Sequence, residues 1–144
     1  MFTEKEIAYL RTQRLGRLAT VGAHGEPHNV PVGLHYNAEL GTIDIGGLNM
    51  AASRKYRDIR RNALVSFVVD DVDPIDPWTP RGIEVRGTAE ALAEGGRRFN
   101  DVVADEMIRI TPGRVVSWGI EAPWQDGTHA RGTVPRPTPA RGEK

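Results

Sequence analysis

The densest chemistry in the chain is Ser53-Arg54-Lys55-Tyr56-Arg57-Asp58-Ile59-Arg60-Arg61, which sets five basic residues against one acidic residue. The segment reads as a short helix with Ser53 as its N-cap. Its first turn then offers unpaired backbone N–H groups and the positive end of the helix dipole beside Arg54 and Lys55. Backbone donors and cations converging on one point make an anion site, most naturally for a phosphate. Arg57, Arg60 and Arg61 fit equally well as a solvated helix face. Lysine usage singles out the first turn, because the chain has 16 arginines and three lysines, and one of those three is Lys55.

Two further features would flank a flat ligand. Val30-Pro31-Val32-Gly33 places a proline inside a β-favouring run, so this strand belongs at a sheet edge or beside a bulge, where backbone groups stay free. Gly46-Gly47 at the end of another strand permits close approach of a ring or phosphate, or simply makes a turn. His24, His28, His35 and His129 have no metal-binding spacing, so no metal centre is expected, although His28 and His35 are candidate pocket residues. Without cysteine there is no thiolate nucleophile, zinc–thiolate site or iron–sulfur cluster. No G-x-G-x-x-G or G-K-[ST] occurs, and no serine–base pair stands out. The catalytic residues stay unassigned, and any redox chemistry falls to a bound organic cofactor.

The elements that must position these residues follow from pattern. Thr3 with Glu6 forms a capping box and Phe2 with Ile7 a hydrophobic staple, opening a helix that turns Ile7, Leu10 and Leu15 inward and ends at Gly16. Short β-favouring runs follow at Leu18 to Val21, Val30 to Tyr36 and Thr42 to Ile45, read as a three-stranded meander. Leu64 to Val69 is the strongest buried-strand run, followed by a Pro-rich loop at Asp73 to Pro80 and a strand from Ile83 to Ala91. Two short runs, Met107 to Ile110 and Val115 to Ile120, flank a break at Thr111-Pro112-Gly113. The sum is a mainly β, α+β fold of six to seven mostly antiparallel strands closing a small barrel, with an N-terminal helix and one or two short helices. Trp78 and Trp118 are assigned to core or interface in preference to a pocket wall.

At 144 residues and 39% hydrophobic composition the chain suits one globular domain. Residues 122–144 hold four of the ten prolines and little apolar bulk, so the domain is placed at 1–121 and the rest is expected to remain disordered. A formal net charge of zero and 6% aromatics argue against nucleic-acid binding, and no apolar run is long enough to span a membrane. A cytoplasmic protein is expected.

In order along the chain, five segments resemble the split β-barrel proteins related to pyridoxamine 5′-phosphate oxidase. They are Gly16-Arg17-Leu18-Ala19-Thr20 with Gly25-Glu26-Pro27-His28, Val30-Pro31-Val32-Gly33, Ser53 to Asp58 running into Val65 to Asp71, Arg81 to Gly87, and Ile108 to Pro112 with Val116 to Gly119. The closest branch comprises oxidoreductases that use coenzyme F420, a 5-deazaflavin with a phosphate and an anionic glutamyl tail. This resemblance implies an FMN-binding-type split barrel and a homodimer with the cofactor between subunits. It implies a phosphate held by Arg54 and Lys55 beside Ser53, and a ring lined by Val30, Pro31 and Val32 near Gly46. Arg57, Arg60, Arg61 and Arg81 would meet the anionic tail. The implied activity is hydride transfer to a small organic substrate. The alternatives are an FMN-dependent oxidase or reductase and a non-catalytic cofactor carrier. The absence of a longer arginine-bearing C-terminal segment argues against oxidation of pyridoxamine phosphate.

Overall fold

The computed structural model describes residues 1–137; the part of the expected tail from 138 to 144 lies outside the described residues. Helix α1 spans Glu4–Thr12, and its start is the capping box the sequence announces: the Thr3 side chain accepts from the Glu6 N–H while Glu6 accepts from the Thr3 N–H at 2.9 Å. Tyr9 and Leu10 are the apolar residues it buries, whereas Leu15 is exposed. The helix stops at Gln13 in extended conformation, and Gly16, expected as its terminator, lies inside the first strand with the Phe67 ring packed where a side chain would go.

The strands are β1 (Leu15–Val21), β2 (Pro27–Gly33), β3 (His35–Asn37), β4 (Thr42–Ile45), β5 (Leu64–Val72), β6 (Pro80–Leu92), β7 (Met107–Trp118) and β8 (His129–Gly132). Helix α2 (Arg54–Arg61) follows a 3-10 turn at Met50–Ala52. All eight strands join one sheet in the order β2-β1-β5-β6-β7-β4-β3, with β8 also on β7. Its inner face closes on Leu18, Ile43, Ile45, Phe67, Ile83, Val85, Ile108, Ile110 and Val115, all fully buried. This is the split barrel.

Three details depart from the sequence reading. The expected strand Val30 to Tyr36 breaks at buried Leu34, so β2 and β3 lie at opposite ends of the strand order and β4 pairs with β7; the first strands do not form the expected meander. Thr111-Pro112-Gly113 does not end a strand. A register shift at Arg86/Gly87 leaves Gly113 unpaired while Pro112 stands opposite Gly87, and β7 runs on. Residues within the expected tail are ordered, because β8 pairs with Arg114 to Ser117 of β7. From β8, Arg131 reaches Glu6, whose carboxylate is fully buried. Burial pushes Glu6 up, but the Arg131 guanidinium and further hydrogen bonds outweigh it and hold the carboxyl below its ordinary range. Beyond β8, Val134 and Pro135 cap an apolar cleft of about 230 Å³ over Ala19, Val21, Pro27 and Leu64. Trp118 packs against Gly82, whereas Trp78 is exposed on the β5–β6 loop and so is not a core residue.

Candidate functional site

Helix α2 forms as its sequence asks. Ser53 accepts from the Tyr56 N–H at 3.4 Å and donates to the Met50 carbonyl at 2.6 Å, tying the cap to the preceding turn. Tyr56 and Ile59 anchor the helix in the core, and the Tyr56 hydroxyl donates to the Leu92 carbonyl at 3.1 Å. Arg54, Arg57, Arg60 and Arg61 are therefore left on the solvent side.

Lys55 differs from these arginines. It is half-buried at the first turn, no carboxylate lies within ion-pair distance among the described residues, and burial pushes its pKa below the ordinary lysine range. A partly desolvated cation without a partner is an uncompensated cost that an arriving anion removes.

The lone acid of the helix, Asp58, is turned inward and 1% exposed. Its Oδ2 accepts from the Thr20 hydroxyl at 2.7 Å and lies 2.7 Å from His28 Nδ1. Burial pushes its carboxyl up, and the hydrogen bonds from His28 and Thr20 hold it down, so the net shift is downward. On the other side of the ring, Arg54 Nη1 stands 3.4 Å from His28 Nε2. Thus β1, β2 and α2 are joined through one buried carboxylate, and the front of α2 is fixed against β2.

Strand β2 has β1 as its one ladder partner among the described residues, so it is the edge strand that Pro31 requires. Strand alternation puts His28, Val30 and Val32 on one face. Val32 is buried, Val30 and Pro31 are exposed, and Ser53, Arg54 and Lys55 stand near that face through the Arg54–His28 contact. Two residues named from sequence are not brought to this cluster. Arg81 is committed to Asp71, with two hydrogen bonds of 2.8 and 2.9 Å, and its guanidinium lies over the Tyr9 ring. Asp71 is five residues along β5 from Ser66, the partner of Ala19, which is about 17 Å of strand. The clearance at Gly46 is taken up by Phe99, whose ring stacks on His35 with centroids 4.1 Å apart. Sequence reading in turn missed Arg97 and Arg98. They line an open groove of about 820 Å³ with Gly95, Met107 and Arg109, and its rim at Leu92 receives Tyr56. Two adjacent arginines after a glycine pair were the available signal.

A cation-rich helix start beside an exposed edge of a split barrel defines a class, and the comparisons agree with it. The family model described as pyridoxamine 5′-phosphate oxidase matches residues 2–121, and the chain belongs to that family. Among curated proteins it is 57% identical over 130 residues to a 5a,11a-dehydrotetracycline/5a,11a-dehydrooxytetracycline reductase of Streptomyces rimosus, covering 90% of this chain and 92% of that protein. Among solved structures it resembles a conserved hypothetical protein of Mycobacterium tuberculosis, with TM-score 0.63, 28% identity, and 82% and 85% of the two chains covered. It shares its fold with a FAD-binding protein of Mesorhizobium loti, with TM-score 0.60, 21% identity, and 81% and 91% covered. The chain is an enzyme, an oxidoreductase on the flavin-binding split-barrel fold. Among the described residues no helix is long and apolar enough to cross a membrane.

Proposed function

We propose that the protein is a coenzyme F420-dependent reductase that saturates a ring carbon–carbon double bond in a tetracyclic polyketide of the dehydrotetracycline class. The observation that carries the cofactor assignment is Lys55, half-buried at the capped start of α2 and without a carboxylate partner among the described residues. The donor set fits the group: Lys55, Arg54 and the first N–H groups of α2 suit a phosphate, while exposed Arg57 and the groove arginines Arg97 and Arg98 suit an anionic tail. Val30 and Pro31 on the β2 edge suit the face of a flat ring. When bound, such a cofactor supplies the hydride. The chain's own task is to hold ring and substrate face to face and exclude water between them. The grooves beside α2 are open, so a second copy of the chain completes the enclosure in this reading, as a homodimer with the cofactor between subunits. The substrate class rests on the Streptomyces rimosus reductase and its near full-length match.

The test is a spectrophotometric assay with reduced F420 and 5a,11a-dehydrooxytetracycline. Reoxidation of F420 that requires both enzyme and substrate supports the proposal. Substrate reduction with reduced FMN and none with reduced F420 overturns the cofactor assignment. F420 binding without turnover of the tetracyclic compound overturns the substrate assignment.

A further inference from the structure

Resting on the cofactor reading above, we infer that His28 is a further ligand for the cofactor's phosphate and that it takes up a proton when that anion binds. The inference starts from the two ring nitrogens, which face opposite kinds of partner. Nδ1 lies 2.7 Å from the Asp58 carboxylate, an acceptor, so Nδ1 carries a hydrogen and donates it. Nε2 faces Arg54 Nη1 at 3.4 Å, a donor, so without an anion Nε2 presents its lone pair to Arg54. Glu26 Oε1 is 3.6 Å from the same Nε2, too long for a hydrogen bond but close enough to favour a positive ring.

The ring therefore faces groups of opposite effect. A buried carboxylate at Nδ1 and an acid near Nε2 favour protonation, whereas Arg54 opposes it. Among the described residues the charged or polar groups facing the ring are Asp58 and Arg54 from α2, with Arg61 acting on Asp58, Thr20 from β1, and Glu26 from the β1–β2 turn, with His24 beside it. A phosphate on Arg54 and Lys55 adds negative charge next to Nε2 and draws the Arg54 guanidinium to itself. Both changes remove the opposition. Nε2 gains a hydrogen from solvent, and the new Nε2–H donates to a phosphate oxygen while Nδ1–H stays on Asp58. One proton is taken up and no other bond changes.

The local sequence is shaped for this approach. A Cβ at Gly22 would stand 2.7 Å from His28 Cε1 and would overlap the Glu26 carboxylate, so the turn needs a glycine for both groups to reach the ring position they hold. A purely mechanical strut between α2 and β2 would need the Nδ1–Asp58 bond alone and would not place two further charged groups at Nε2.

The experiment is calorimetric titration of oxidised F420 into the full chain at several pH values from 6 to 8.5, each in two buffers of different ionisation enthalpy. The wild-type protein is expected to take up a measurable fraction of a proton near pH 7, and its Kd to rise on the order of tenfold across the range, as linkage requires of a proton taken up on binding. His28→Gln keeps a donor near the Nε2 position but cannot titrate. It is expected to fold with a lowered melting temperature, because buried Asp58 keeps only the Thr20 hydroxyl, to lose the proton uptake attributable to the protein, and to show a flatter pH dependence. Any proton linkage of the ligand itself appears equally in both proteins and cancels. Gly22→Ala, which leaves the ring in place chemically but crowds it, is expected to weaken binding and reduce the uptake. Equal proton uptake by wild type and His28→Gln, or none by wild type despite tight binding, overturns the inference and leaves the cofactor assignment standing. No F420 binding by the wild-type protein overturns the cofactor assignment and the inference with it.

Discussion

Replacing Lys55 by alanine separates a phosphate-binding helix from a merely charged one. In the free protein Lys55 is half-buried without a carboxylate partner among the described residues, so its charge does little for the fold. Its removal leaves the melting temperature unchanged or slightly raised, within about 0.5 kcal/mol of stability. On binding, the same change removes a charge-assisted hydrogen bond worth about 1.5–3 kcal/mol, a tenfold to hundredfold weaker Kd for F420. Arg61→Ala is the control, six residues beyond Lys55 along a helix of 1.5 Å rise and so about 9 Å further on. Its effect is expected to be smaller and to fade with salt, since exposed charges are screened over about 8–10 Å. Because burial lowers the Lys55 pKa, wild-type affinity is also expected to decline on the alkaline side at lower pH than an exposed lysine would give. The assay is fluorescence titration of each variant, with a thermal melt of the free protein alongside. Equal and weak effects of both substitutions, or a melting temperature that collapses in Lys55→Ala, would refute the argument.

Three further outcomes are expected. Arg131→Ala strips the partner from the fully buried Glu6 carboxylate and is predicted to cost about 3 kcal/mol, measured by chemical denaturation, with Glu6→Gln/Arg131→Ala less destabilised than Arg131→Ala alone. Gly16→Ala forces a Cβ into the Phe67 ring beneath β1 and is predicted to destabilise by about 1–3 kcal/mol without changing F420 affinity once folded. Glu6, Asp44, Asp58 and Asp71 all have lowered pKa values in the folded state, so their stabilisation is complete above the ordinary carboxylate range of about 3.9–4.3 and is lost as pH falls through it towards the folded values. Thermal melts between pH 3 and 7 should show a steep fall below about pH 4 and a plateau above pH 5.

What the sequence makes legible is local. The Thr3–Glu6 box, the Ser53 cap and the Pro31 edge strand follow from chemistry within a few residues, and all three stand in the structure. Pairings that depend on curling the sheet leave no local trace, so β2 and β3 look like one strand although they lie at opposite ends of the strand order. Gly16 has the sequence signature of a helix terminator, yet its lack of a side chain is used to seat Phe67. The tail reads as unattached because most of its attachment is a ladder to β7 and one ion pair to buried Glu6, which do not register as hydrophobicity, with only Val134 and Pro135 adding apolar contact. Within the site, the cations of α2 are obvious as a run, but the role of Asp58 is not. A single acid among five bases reads as a charge-balancing surface residue until the fold brings Thr20 and His28 against it. Arg81 shows the converse, since its charge is visible in sequence and its commitment to Asp71 across a hairpin is not.

The central claim is that the start of α2 is built for the phosphate of a deazaflavin. It is tested most directly by titrating one preparation of the full chain with oxidised F420 and, separately, with FMN under the same conditions. The expected result is a colourless protein as purified, saturable F420 binding, and an affinity for F420 at least about tenfold above that for FMN, because the arginines beyond Lys55 would have an anionic tail to meet. A yellow protein that releases FMN on denaturation, or tighter binding of FMN than of F420, would contradict it.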